Sequence, residues 1–354
     1  MRETNILIVG GGPAGAQTAR YLSSSNIDNI LVQRSLKFKK PCGGGIRQDA
    51  FDEFELDTKE IIKKVDEVLF VHNENKIKID ISMVGVAIVD RASFDNSLRV
   101  DAQEKGTQIL EATFISIEVF SEYLVSKIKI GDKYTYIKSK YVVAADGVNS
   151  KLRKLINNDE VSSTLTQYCD ITAVEQNTCD FHFGRDVAGG HYAWVFPHSD
   201  GVDIGTLIDS TDAFNRLKQS LNIQTDVKTL GYKIPEYKNT IFYKDSASQV
   251  LPFTYEGIYY ALASAKILCD VIINDNEPES YEKVWKNKFH KKFKVLMLLQ
   301  KVFLYNEFMI RVMMKLFSHK SLHKRVLELW IGKQSIEVNF NFFVKVMKYM
   351  FRKA

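Results

Sequence analysis

Three groups of residues in this chain have types and spacings suited to chemistry. The first is Gly10-Gly11-Gly12-Pro13-Ala14-Gly15, a G-x-G-x-x-G pattern directly after the apolar run Ile6-Leu7-Ile8-Val9. Between a strand and a helix, Gly10 and Gly12 allow a tight turn and a close approach of backbone to a pyrophosphate. Gly15 lets helix and strand pack closely, and the helix N-terminus faces the negative charge. This reads as a dinucleotide site. Gln33 stands where an acidic residue usually holds ribose hydroxyls, and its amide oxygen can accept one such hydrogen bond without supplying charge. The second group is Cys42 with Gly43 and Gly45 in a basic, glycine-rich loop over residues 38–47. The third is Tyr192, Trp194 and Phe196, whose alternation puts all three on one face of a strand. That face is either the core side of a sheet or the wall of an apolar slot. Aromatic faces in such a slot favour developing positive charge. His191 and His198 flank the run and titrate near neutrality, but they read as loop histidines and receive no catalytic role.

The elements that must position these groups follow from periodicity. Residues 5–9 predict a buried parallel strand, a helix runs from about 13 to 24, and Asn29–Gln33 completes a βαβ unit. Segments near 65–72, 76–81 and 85–89 alternate as strands. Residues 91–105 have helical spacing, with Phe94, Leu98 and Ala102 on one face. Strands are expected near 107–120 and 123–138, and 141–145 reads as a separate short strand ending at Asp146-Gly147. Residues 160–210 are strand-rich and aromatic, helical periodicity returns over 256–273, and the remainder is helical, basic and aromatic. The order predicts an α/β fold: a Rossmann-like domain (1–90, including inserted strands 65–89, then 91–160 with 236–275) interrupted by an antiparallel-sheet substrate domain (161–235). A basic helical C-terminal region, 276–354, follows.

Taken together, the glycine loop, Lys40–Ile46, Asp90–Asp95 and Ala144–Arg153 resemble the FAD-dependent enzymes of the p-hydroxybenzoate hydroxylase fold. Tyr192-Ala193-Trp194-Val195-Phe196-Pro197, followed by Gly205, narrows the resemblance to the geranylgeranyl reductase family. The resemblance covers about residues 1–275. It implies FAD as cofactor, with Gly10, Gly12, Ala14, Gly15, Gln33 and Asp146 on its nucleotide side and backbone near Phe114 at its adenine. Cys42, Gly43 and Gly45 meet the flavin, Arg91 its phosphates or ribityl chain, and Asp245 a ribityl hydroxyl. Gly257 and Ile258 present backbone N–H groups to the flavin ring. Tyr192, Trp194, Phe196, Pro197 and Gly205 form the substrate site. Cys42 relays a proton or gates the flavin in that picture, the alternative being an inert thiol. One motif departs from the family: Lys244-Asp245-Ser246-Ala247-Ser248 stands where Gly-Asp-Ala-Ala-Gly is usual.

The implied activity is saturation of double bonds in a polyprenyl chain, either a geranylgeranyl lipid or an isoprenoid quinone tail. An isolated alkene lacks a carbonyl to polarise it, so protonation of one carbon must accompany hydride delivery from reduced flavin in a dry, aligned slot. NAD(P)H or ferredoxin is the implied reductant. Two other readings stand beside it: a flavin monooxygenase, and a flavin-poor lipid-binding relative.

Composition limits the rest. With 45% hydrophobic and 26% charged residues over 354 positions, the chain is globular rather than disordered or fibrous. Residues 283–354 hold 17 Lys and Arg against three Glu, while the rest of the chain carries 31 basic and 40 acidic residues. A basic tail on an acidic body suits an anionic membrane surface better than nucleic acid. Its apolar run is interrupted by Lys301, Glu307, Arg311 and Lys315, so a spanning helix is not expected. Four cysteines without C-x-x-C spacing indicate neither zinc nor a disulfide framework. No charged-then-apolar leader opens the sequence, so a cytoplasmic location, peripheral on the membrane, is expected.

Overall fold

The computed structural model describes residues 1–158, 163–208, 212–223, 230–235, 249–274, 280–320 and 323. Strand β1 (Arg2–Val9) passes through the glycine loop into helix α1 (Pro13–Ser24) and β2 (Asn29–Gln33). Then come β3 (Gly45–Arg47), α2 (Asp49–Glu53), β4 (Ile61–Val65), β5 (Glu67–His72), β6 (Asn75–Asp80), β7 (Val86–Val89) and α3 (Arg91–Glu104). Four strands follow, β8 (Gln108–Glu111), β9 (Thr113–Val119), β10 (Leu124–Ile130) and β11 (Lys133–Ala144), and then α4 (Lys151–Asn157). The middle of the chain holds β12 (Ser163–Thr172), β13 (Cys179–Phe183), α5 (Arg185–Ala188), β14 (Ala193–Pro197), β15 (Gly201–Ile208), α6 (Ala213–Ser220) and β16 (Leu230–Pro235). Helices α7 (Ile258–Ile273), α8 (Ser280–Trp285), α9 (Lys291–Phe303) and α10 (Glu307–Phe317) close it.

The first sheet has the order β8-β2-β1-β11-β10-β9, parallel from β8 to β11 and antiparallel through β10 and β9. The βαβ unit and the α/β class expected from sequence are present. The sequence reading split β11 in two at residue 138. It is instead one strand of 12 residues, exposed where it pairs with β10 and buried where it joins β1. The expected strand over 107–120 breaks at Ala112, whose N–H donates to the Gln33 carbonyl at 2.9 Å. That bond turns the chain from one end of the sheet order to the other.

The second sheet runs β16-β12-β15-β14-β13-β5-β6, antiparallel except where β13 meets β5. This corrects the expected grouping of strands 65–89 with the cofactor half. β5 and β6 extend the substrate-side sheet, because pairing with β13 lets Phe70 bury against Phe181 and Phe183. Only β7 stays apart, between β3 and β4 in a three-stranded sheet.

Helix α7 is apolar on nearly every face, as expected of a helix enclosed by protein. It lies against α1, whose Ala14, Ala16 and Ala19 are buried and short enough to allow close approach. On its far side Tyr260 meets Phe293 of α9 edge-on, with ring centroids 4.9 Å apart. A π-helical turn over Lys286–His290 joins α8 to α9 and keeps Trp285 and Phe289 on this buried side. Among the described residues, no helix is long and apolar enough to cross a membrane.

The start of α1 depends on one close approach. A methyl at Gly15 would lie 1.8 Å from the Gly10 carbonyl oxygen, so any side chain there forces the helix away from β1. Gly15→Val should therefore cost on the order of 1–3 kcal/mol. Urea unfolding checks this through a lower midpoint at unchanged slope.

Candidate functional site

The glycine loop is held from below and open above. Gly10 has φ +104° and donates to the Val32 carbonyl at 2.8 Å; a methyl on it would strike the Ala145 carbonyl oxygen at 2.3 Å. Gly12 caps α1 without a side-chain hydrogen bond, Pro13 opens the helix, and a methyl on Gly12 would meet nothing within 4 Å. The N–H groups of that first turn have no intrahelical acceptors, so they face space large enough for an anion. Gln33 has a different role from the one expected. Its Oε1 accepts from the Gly11 N–H at 2.7 Å and its Nε2 donates to the Ser35 carbonyl at 2.9 Å. It tethers the glycine loop before it can serve a ribose.

Sequence reasoning missed Arg99. This buried residue donates from Nη1 to the Gly11 carbonyl at 2.8 Å and from Nη2 to the Leu36 carbonyl at 3.0 Å, while its buried Nε has no partner. Burial lowers its pKa below the usual arginine value, partly offset by Asp95. The available signal was its spacing on the α3 face that carries Arg91, Asp95 and Leu98. Asp146 caps α4 with Oδ2, accepting from the Lys151 and Leu152 N–H groups at 2.7 and 3.2 Å, and its buried Oδ1 has no partner. Phe114 is buried among Val9, Ile128 and Ile137, two residues past the Ala112–Gln33 link. Asp245 lies outside the described residues, with the rest of 244–248.

A cavity of about 250 Å³ joins the loops to the second sheet. Its walls include Pro13, Cys42, Arg91, Trp194, Glu256 and Gly257. Gly43, Gly45, Ile258, Tyr192 and Phe196 also line it, whereas Pro197 and Gly205 do not. The reason lies in sheet register. Tyr168 pairs with Gly205, Gly205 with Trp194, Trp194 with Phe181 and Phe181 with Phe70, so these residues form one row across β12, β15, β14, β13 and β5. A methyl on Gly205 would fall 2.1 Å from Trp194 Cζ2. Gly205 therefore shapes the slot by letting the indole lie flat across it, without touching what the slot holds. Pro197, at the strand end, pairs with Val202.

Charged side chains, Lys40, Arg47, Arg91 and Glu256, border this aromatic wall. Arg91 is buried and bound in bidentate fashion to Asp95, Nε to Oδ1 at 3.0 Å and Nη2 to Oδ2 at 2.8 Å. Burial opposes its charge, but Asp95 and the neighbouring Cys42 sulfur outweigh that, so the guanidinium stays charged. With its fork committed to Asp95, Arg91 steadies the Cys42 loop as well as lining the cavity. Glu256, also missed, presents a buried Oε1 without a partner. Burial raises its pKa from 4.5 to about 7, against the pull of Arg47 and Lys292. Lys292 in turn drops to about 8 through burial and the charge of Arg47. The preceding residue, Tyr255, sits at φ +53°, a left-handed conformation that glycine adopts more readily. Its hydroxyl meets His191 Nδ1 at 2.5 Å and Gln300 Nε2 at 2.6 Å, which hold the strained turn.

Comparison with known proteins decides what this arrangement is. The FAD-binding domain family matches residues 3–228. The chain belongs to that family. Geranylgeranyl diphosphate reductase from Synechocystis sp. is 25% identical, over 94% of this chain and 93% of its own length. Digeranylgeranylglycerophospholipid reductase from Methanocaldococcus jannaschii is 25% identical, over 82% of this chain and 85% of its own length. A geranylgeranyl bacteriochlorophyll reductase-like structure from Thermoplasma acidophilum shares the fold at TM-score 0.78 and 20% identity, covering 98% of this chain and all of that one. Within the FAD-binding family the chain is thus an FAD-dependent oxidoreductase of the geranylgeranyl reductase type. Its residues fit FAD: open, uncapped N–H groups at Gly12, a second uncapped helix start at Gly257, and unpartnered buried atoms on Asp146 and Arg99.

Two measurements check this geometry. Gly205→Ala should displace Trp194 and lower stability by about 1–3 kcal/mol, read by thermal melting. For Glu256, a folded pKa above the ordinary 4.5 means stability that is complete at low pH and lost as pH rises through about 7. Glu256→Gln should raise the melting temperature above wild type at pH 8 and give no such gain at pH 4.

Proposed function

We propose that this flavoprotein saturates double bonds of a polyprenyl chain lying in the cavity between the glycine-lined loops and the aromatic sheet face. The observation that carries the reading is the in-register row Tyr168, Trp194, Phe181 and Phe70, which lines the same cavity as Pro13, Cys42 and Gly257. A slot of this composition excludes water and holds a flexible hydrocarbon in one pose. The faces of Trp194 and Tyr192 favour positive charge developing on the alkene carbons. Bound FAD, when reduced, supplies the hydride. Gly257 and Ile258 start α7 at the cavity wall, where the helix N-terminus favours negative charge.

The same reading accounts for the C-terminal helices. Leu298, Val302, Tyr305 and Phe308 are exposed around the α9–α10 turn, among Lys294, Lys301 and Arg311. Apolar side chains ringed by cations suit the surface of an anionic bilayer on its cytoplasmic face. Helix α10 also contributes Phe317 to the cavity, so substrate dissolved in lipid has a short path inward. NAD(P)H or reduced ferredoxin is the matching electron source.

Anaerobic incubation of the dithionite-reduced protein with geranylgeranyl diphosphate or membrane lipid extract should give products heavier by two hydrogens per reduced bond, by mass spectrometry. Unchanged prenyl species with flavin-loaded protein would defeat the reading. Trp194→Ala should lower turnover about tenfold or more. Vesicles containing an anionic lipid should retain wild type in flotation, and release the Leu298→Ser, Phe308→Ser double variant.

A further inference from the structure

Saturating an alkene consumes a proton as well as a hydride. Of the two tyrosines that line the cavity from the substrate-side sheet, Tyr192 gives its hydroxyl hydrogen to the Thr254 carbonyl, whereas Tyr168 is bonded to a buried carboxyl. Tyr168 is buried, lines the cavity in the same row as Trp194, and donates its hydroxyl hydrogen to Asp203 Oδ1. Asp203 is buried too, on the same sheet face, paired across the strands with Asp170 on one side and Phe196 on the other. Beyond it stands His198, at the two-residue turn that joins β14 to β15. His198 Nε2 lies 3.2 Å from Asp170 Oδ1, and its Nδ1 lies 3.1 Å from Asp200 Oδ1 at the exposed edge. A ring nitrogen of His198 and carboxylate oxygens of Asp170 and Asp203 lie within 4.8 Å of one another, a span short enough for one water to bridge.

We propose that His198, Asp203 and Tyr168 form a proton route from the solvent edge of the second sheet into the cavity, ending at the Tyr168 hydroxyl. The route rests on the reductase reading and adds the residue that acts as acid. When Asp203 is protonated the bond reverses: its carboxyl O–H donates to the phenolic oxygen and the Tyr168 O–H turns to the cavity. In the step, that O–H bond breaks as a C–H bond forms at the less substituted alkene carbon. The phenolic oxygen takes the carboxyl proton of Asp203 in the same motion. Asp203 recovers a proton from His198 Nε2 as His198 Nδ1, which accepts from the Asp200 N–H at 3.4 Å, takes one from water at the exposed edge. No electrons move along the route: the alkene π pair forms the C–H bond to the proton, and the hydride brings the pair for the second C–H bond.

The electrostatics suit transfer in concert. Burial and the Asp203 charge raise the Tyr168 pKa far above the phenol range, so the hydroxyl gives up its proton only as another arrives. Burial lifts Asp203 to about 6, while Tyr168, His198 and Lys39 pull it down and Asp170 pushes it up. Lys39, on the loop that carries Cys42, is paired with Asp90 at 2.7 Å. Asp203 is therefore the group that holds a transferable proton just below neutrality. This gives His198 the part that its loop position seemed to deny it.

The test uses full-length, flavin-loaded protein, reduced anaerobically, with geranylgeranyl diphosphate as probe in single turnovers. Wild type should form saturated product at a rate that falls as pH rises through about 6. Tyr168→Phe should slow that step about 100-fold at unchanged substrate affinity, and Asp203→Asn should slow it and flatten the pH profile. A second readout needs no substrate. In carbon-13 NMR of labelled aspartate, the Asp203 titration should shift in both Tyr168→Phe and His198→Gln. If Tyr168→Phe matches wild type in rate and pH profile, or the Asp203 resonance ignores both substitutions, the route is wrong while the reductase reading stands. If wild type itself leaves the probe unsaturated, the reductase reading fails and the route falls with it.

Discussion

The structure depends on the contact between a glycine and a phenyl ring. Gly43, in the loop that carries Cys42, lies so near Phe196 that a methyl on it would fall 2.6 Å from Cδ2 of the ring. That contact joins the cofactor loop of one sheet to the aromatic face of the other. It lies where two hydrophobic cores meet, one around α1 and α7 and one around Phe70, Trp194 and Phe317, with Leu299 packed against both. The two share a cavity, and the proposed function puts a ring system held by backbone against a hydrocarbon held by aromatic walls there. Larger side chains at positions 43 or 205 would fill the space that this meeting requires.

The cavity combines an apolar floor with an unusual number of buried charges at its edges. Arg91 is neutralised by Asp95, and Arg47 by Asp49 at 2.8 Å. Glu256 and Asp203 remain as carboxyls whose burial raises them toward neutrality. Burying charge is costly unless it is paired, and buried acids with raised pKa values cluster where proton chemistry occurs. The two lie on opposite sides of the slot, Glu256 at the start of α7 and Asp203 on the substrate sheet. Asp203 lies within 4.8 Å of Asp170 and His198, toward the exposed edge, and the proposed route makes it the acid that is recharged.

Much of this was legible in the sequence because the features are local. The βαβ unit, the glycine loop, the α3 face and the aromatic alternation each lie within a few residues, and their physical reasons are short-range. Whatever depends on pairing between distant segments was not legible. That β5 would join β13, and so add Phe70 to the aromatic row, follows from register between residues more than a hundred apart. Gln33 was read as a ribose acceptor because the pattern places an acid there; only the fold shows its amide spent on Gly11. Gly205 was read as a substrate contact from its place in the motif, whereas its function is to leave room for the indole. Tyr168 carries no motif at all, and its importance emerges only once it is seen beside Asp203.

The most direct test of the central claim, that a reducible ring and a prenyl chain meet in this one slot, is the flavin spectrum itself. Reduced protein should be mixed with geranylgeranyl diphosphate in a stopped-flow instrument from which oxygen has been removed. The account predicts that oxidised-flavin absorbance returns in wild type and fails to return when Trp194 is replaced by Ala. A flavin that stays reduced in wild type under saturating substrate would contradict it.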